Sequence, residues 1–306
     1  MSTPIAPTDR EAAARPHAAA DGGGPVREVV VGVDGTECAL AAVRWAAQEA
    51  ARRSAPLRIV HAAPYLSRRG PTGTPPPELS RARGITAVAY TAARHAAPSV
   101  GASTEVVPDD PTSVLLRAAA AGQLVVVGSS ATGAADEMVL APVALRVAAR
   151  SPQPVVVVPR RRKGASADRP VVAVLGIGER ADDEAVAAFA AAAAADSGAA
   201  LSVLQTRSSS RTVADSWVDE PQEWTRRFPG LEVALRAAPS ARANQILQAS
   251  GPAPLLVLSA GRGHLLHRTL DGPHRWLLRH CTSPMALVPP VDRLEPQPQQ
   301  EVLALG

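Results

Sequence analysis

Cysteine is nearly missing: the 306 residues contain two, Cys38 and Cys281. That excludes a disulfide framework and a zinc module built on several thiolates. Aromatic residues make up 3% of the chain, so the stacking platforms that read single-stranded nucleic acids have almost no material. Lysine occurs once, at Lys163, and the net charge of +4 is an arginine charge. The one basic run is Arg160-Arg161-Arg162-Lys163, and no nucleic-acid partner is expected. No apolar run approaches the roughly 18 residues of a membrane span, so no membrane partner is expected. The N-terminal stretch lacks the apolar segment of a secretory signal, which points to a cytoplasmic location.

What is present is apolar and periodic. Hydrophobic residues make up 46% and charged residues 20%, enough for packed cores in a chain long enough for about two domains. Apolar runs at 28–34, 57–62, 104–108, 124–128 and 154–159 alternate with helical stretches near 37–53, 78–96 and from Asp110-Pro111 onward. Asp110 suits an N-cap and Pro111 the first helical position. Near-continuous apolar strands between helices predict a parallel sheet covered on both faces.

The order then repeats. Strands are predicted at 170–175, 200–205, 231–236, 255–259 and 285–289, with helices at 181–196 and near 216–227, 241–249 and 273–280. SPQPVVVVP closes one unit and TSPMALVPP the other, which aligns Pro154 with Pro284 and Gly128 with Leu258. The layout is a disordered arm at 1–24, a first domain at 25–160, a basic linker at 161–169, a second domain at 170–290 and a polar tail at 291–306.

Ligands of open α/β sheets bind beyond the C-terminal strand ends, at the switch point in strand order. Asp34 ends the first strand, and Gly128-Ser129-Ser130-Ala131-Thr132-Gly133 follows the fourth. A glycine-bearing loop before a helix offers backbone N–H groups to phosphate, and a strand-end carboxylate accepts from a ribose or a base. A strand-end Asp-Gly is equally the signature of a plain turn.

VVVGVDGTECALAAVRWAAQEA, DPTSVLLRAAAAGQLVVVGSSATG and SPQPVVVVP, in that order, resemble the universal stress protein family. The resemblance covers about 25–160 well and 170–290 more loosely, as in a tandem member. It implies two Rossmann-like α/β domains of the adenine nucleotide alpha hydrolase-like kind. Each is a five-stranded parallel sheet of order 3-2-1-4-5 flanked by helices. It also implies ATP or AMP as ligand, with no metal beyond a nucleotide-associated Mg. Asp34 would contact the adenosine, Val60 would line the base, and Gly128, Ser129, Ala131 and Thr132 would face phosphate, with Ala141, Pro142 and Val143 completing that wall.

The family's ATP-binding pattern is Gly-x2-Gly-x9-Gly-(Ser/Thr) after the strand-end Asp. Gly128 fits, while Ala131, Ala141 and Pro142 replace two glycines and the hydroxyl. In the second unit the Asp position falls within Leu175-Gly176-Ile177-Gly178, without a carboxylate, and the glycine pattern on Leu258, Gly261, Asp271 and Gly272. Two functions stand: a stress-response adenine-nucleotide sensor or adaptor with at most one working site, in the first domain; or a nucleotide-independent module for dimerisation and protein interaction. Neither is an enzyme. Family members dimerise, so an internal pseudo-dimer through the fifth strands, a homodimer of whole chains and an unidentified protein partner are expected.

Other signals weigh less. Gly176-Ile177-Gly178-Glu179-Arg180-Ala181 imitates a dinucleotide fingerprint, but Gln205-Thr206-Arg207 supplies no acidic residue at the next strand end. His264, His267, His274, His280 and Cys281 cluster in sequence, yet Asp271-Gly272-Pro273 breaks any shared helix. His61 edges the first crevice, and Trp217, Trp224 and Phe228 read as the packing face of one helix.

Overall fold

The computed structural model describes residues 27–67, 77–129, 142–160, 169–177, 180–206, 226, 228–238, 240–261, 270 and 272–294. The first unit contains β1 (Val29–Gly32), α1 (Glu37–Arg52), β2 (Leu57–Ala62), a 3-10 turn (Pro64–Ser67) and α2 (Pro77–Ala96). It continues with β3 (Ala102–Val107), α3 (Pro111–Ala121), β4 (Leu124–Gly128), α4 (Pro142–Arg150) and β5 (Val155–Val158). The second unit runs through β6 (Val171–Leu175), α5 (Arg180–Ser197), β7 (Leu201–Thr206), β8 (Val233–Ala238) and α6 (Ala243–Ser250). It ends with β9 (Leu256–Ser259), α7 (Gly272–His280), β10 (Met285–Val288) and the short α8 (Val291–Leu294).

The strands form one sheet of order β3-β2-β1-β4-β5-β10-β9-β6-β7-β8. Each half has the order 3-2-1-4-5 with parallel neighbours, and the halves meet where β5 pairs antiparallel with β10. Val155, Val156 and Val157 face Leu287, Ala286 and Met285 there. Each fifth strand would otherwise be an apolar edge, and the pairing removes both edges at once.

The central strands β1, β4, β5 and β9 are buried on both faces, which is why they read as nearly unbroken Val and Leu runs. Each fully buried Val or Leu contributes about 1.5–3 kcal/mol. Alternate residues feed two cores, and each core crosses the junction: Val29, Val126, Ala173 and Val257 share one, Val30, Val125, Val172 and Leu256 the other. Two further contacts tie the units. The Arg53 guanidinium carbon lies 5.2 Å from the Phe189 ring centroid, and Arg293 Nη1 donates to the Ala149 carbonyl at 2.6 Å.

Local chemistry sets the helix starts. Thr36 caps α1 by accepting from the Ala39 N–H at 3.2 Å. Asp110 caps α3 by accepting from the Ser113 N–H at 3.0 Å, with Pro111 in the first turn.

Some sequence expectations shift. β8 spans 233–238 rather than 231–236, because Leu231 is a buried residue before the strand. Phe228 lies in a bend outside any helix and packs against the core, while Trp217 and Trp224 lie outside the described residues. Gly128 does not pair with Leu258: Gly128 faces Val158 on the neighbouring strand, and Ser259 faces Val288. Ser259 is therefore its structural counterpart.

Candidate functional site

β1 and β4 are neighbours, so the turns beyond their C-terminal ends open on one cleft. It is a cavity of about 130 Å3 that opens to solvent. Gly32, Val33 and Asp34 come from the end of β1, Val60 and Ala62 from β2, and Val127 and Gly128 from β4. Ala39 of α1, Pro111, Val114 and Leu115 of α3, and Val143 and Ala144 of α4 close the sides.

Of the sequence-predicted residues, Asp34, Val60, Gly128 and Val143 line this cleft. Asp34 also makes the turn: its Oδ1 accepts from the Thr36 N–H at 3.0 Å and from Thr36 Oγ1 at 2.6 Å. The carboxylate and the α1 cap thus share one hydroxyl. Gly128 has a steric reason of its own, since a Cβ there would stand 2.6 Å from the Cys38 carbonyl carbon and oxygen. Only glycine lets β4 end against the first turn of α1.

Ser129 follows Gly128 and is 1% exposed, and its Oγ finds no partner among the described residues. A buried hydroxyl without a partner is costly unless a ligand or water supplies one. Pro142 opens α4 (Pro142–Arg150), where a missing N–H costs nothing, and so has a helical reason to be there. Ala131, Thr132 and Ala141, with Ser130 and Gly133, lie outside the described residues.

His61 is buried behind the β1 end. Its Nδ1 donates to the Val33 carbonyl at 2.8 Å, which leaves Nε2 to accept from the Tyr65 hydroxyl at 3.1 Å. It anchors the strand end rather than lining the cleft. The sequence reading missed Ala39, Pro111 and Leu115, although a helix that starts just after β3 must lay its first turn across the switch point.

A family model described as "Universal stress protein family" matches residues 25–159. Residues 25–159 belong to the universal stress protein family. The chain is 24% identical to the universal stress protein Rv2624c of Mycobacterium tuberculosis, over 86% of this chain and 96% of that protein. It is 36% identical to Rv2028c of the same organism over 102 residues, which span 33% of this chain and 37% of the relative. A universal stress protein from Archaeoglobus fulgidus matches in fold with a TM-score of 0.67, at 14% identity, over 86% of this chain and 98% of its own.

The second unit repeats the cleft's framework with different side chains. Val30 and Val172 are equivalent by their pairing with the fourth strand, and so are Asp34 and Gly176 beyond them. The buried faces of α1 and α5 superpose with Ala39 on Asp183, and both helices end in the same turn, with Ser54 and Gly198 at positive φ. Gly32 becomes Val174, Val60 becomes Leu204 and Ala62 becomes Thr206. Gly128 becomes Ser259 and Ala144 becomes His274. Ser129 becomes Ala260, whose N–H likewise donates to the end of the fifth strand.

The histidine cluster is not a metal centre among the described residues. His274 Nε2 donates to the Ser259 carbonyl at 2.7 Å, and the His280 ring stacks on Trp276 at 4.1 Å between centroids. His264 and His267 lie outside the described residues. No group of His, Cys, Asp and Glu that could hold a metal occurs among those described. At the mimic of a dinucleotide turn, a Cβ on Gly176 would stand 2.6 Å from the Thr206 carbonyl oxygen, so these two strand ends pack on each other. No helix among the described residues is long and apolar enough to cross a membrane.

Proposed function

We propose that this tandem universal stress protein binds an adenine nucleotide, ATP or AMP, in its first unit. It acts as a sensor or adaptor rather than as an enzyme. The observation that carries the reading is the cleft at the β1–β4 switch point. Its walls are apolar enough for a base, Asp34 stands at the end of β1, and the buried Ser129 hydroxyl, without a partner among the described residues, follows the neighbouring β4. Asp34 accepts from the adenosine, Val60 and Leu115 pack on the base, and Ser129 donates toward phosphate. No nucleophile–base pair occurs among the described residues that line the cleft, which suits binding better than turnover.

The second reading, a nucleotide-independent interaction module, draws on Pro142, which leaves the start of α4 without the family's hydroxyl. Calorimetric titration of the full chain with AMP and ATP separates the two. The sensor gives saturable heat, weakened at least about 10-fold in Asp34→Ala, the loss of one hydrogen bond to a charged group. Absence of heat up to millimolar nucleotide in the unaltered chain overturns the sensor and leaves the module.

A further inference from the structure

We infer that the second cleft is occupied by the chain itself, with the Asp183 carboxylate acting as a built-in ligand of the β6 end. Asp183 is 0% exposed, and its Oδ2 accepts from the Gly176 N–H at 3.0 Å. In the first unit the strand end carries the carboxylate, at Asp34, and the helix carries Ala39. In the second the strand end supplies an N–H and the helix brings the carboxylate. The two changes belong together, because two carboxylates at one strand end would repel each other.

The neighbouring residues complete the seal. Gly176 sits at φ +87°, and a Cβ there would stand 2.8 Å from Thr206 Oγ1, so glycine alone lets the two strand ends close. Thr206 Oγ1 in turn donates to the Leu175 carbonyl at 3.0 Å. From the opposite side His274, 2% exposed where the first unit has Ala144, clasps the Ser259 carbonyl. A carboxylate buried this deeply is tolerated only with hydrogen-bond donors in place. The Gly176 amide is such a donor, and the contact takes it out of reach of any other ligand.

The inference does not depend on what the first cleft binds, and its test needs no nucleotide. Amide hydrogen exchange is followed by NMR in the full chain and in Asp183→Ala and Asp183→Asn. The Gly176 amide is expected to exchange on the order of 10-fold faster in Asp183→Ala, and nearer the unaltered rate in Asp183→Asn, which keeps an oxygen acceptor. The Val33 amide, which donates to the Val60 carbonyl, is the control and stays unchanged. A Gly176 rate unmoved in both variants overturns the inference. So does slowing of the Gly176 amide in the unaltered chain on addition of millimolar AMP, since a sealed end has no room for it. If Asp183→Ala does not fold, the AMP arm still decides.

Discussion

At the end of β1 the strand carries Asp34 and the facing helix carries Ala39; at the end of β6 the strand carries Gly176 and the helix carries Asp183. The same exchange runs around both clefts. Gly32, Val60, Ala62, Gly128 and Ala144 leave space, and Val174, Leu204, Thr206, Ser259 and His274 fill it. The framework is untouched: both halves keep the order 3-2-1-4-5 and the same turn at the end of the first helix. A duplicated sheet can thus keep one copy open and close the other without a change of topology.

The comparison breaks most visibly at Gly128. Gly128→Ser imports the second unit's residue, and its Cβ would press on the Cys38 backbone. We expect a loss of about 2–3 kcal/mol in denaturant unfolding of the full chain. Ser259→Ala, at the matching place, is expected to cost about 1 kcal/mol, the hydrogen bond its Oγ accepts from the Gly261 N–H. Equal costs would mean that the two strand ends do not differ in how closely the helix approaches.

Ser129→Ala sharpens the contrast with Ala260. Removing a buried hydroxyl that has no partner among the described residues should leave stability unchanged or raise it by up to about 1 kcal/mol, while AMP binds several-fold more weakly. A clear drop in melting temperature would show that the hydroxyl has a structural partner.

Two pH effects are smaller. After α4 and α7 the chain places Ser151 and Cys281 in matching roles, Ser151 Oγ donating to the Gln153 carbonyl and Cys281 Sγ to that of Ser283. Burial pushes the Cys281 thiol above its ordinary value. Its contribution is present below the unfolded thiol range and fades as pH rises through the folded value, so Cys281→Ser should flatten the alkaline decline in melting temperature. The smallest effect is expected at Asp109. The hydrogen bond from Arg117, with help from the Asp110 N–H, lowers its carboxyl below the usual range. That contribution holds above the unfolded carboxylate range and is lost as pH falls through the folded value. In Arg117→Ala the Asp109 resonance should titrate at higher pH, while the start of α6, where Arg242 makes no side-chain cap, offers no matching pair.

The first cleft was largely legible in the amino-acid order. A strand-end Asp34, a Gly128 after the fourth strand and a strand order that sets them side by side follow from pattern and resemblance. The second was not, for a geometrical reason. The turn from strand to helix is two residues longer there, from Gly176 to Asp183 against Asp34 to Ala39. A linear alignment therefore sees a missing carboxylate where the hydrogen-bond register finds a relocated one. A shorter β9-to-β10 connection likewise matches Gly128 to Leu258 when the prolines are aligned, although Ser259 occupies its place. The burial of Asp182 and Asp183 was hidden because acidic residues in a first helical turn ordinarily read as solvated.

Native mass spectrometry of the full chain with increasing AMP, beside Asp34→Ala, tests the one-open, one-closed account most directly. One bound AMP per chain is expected, with none retained by the variant over the same range. Two per chain, or one that survives Asp34→Ala, would contradict it.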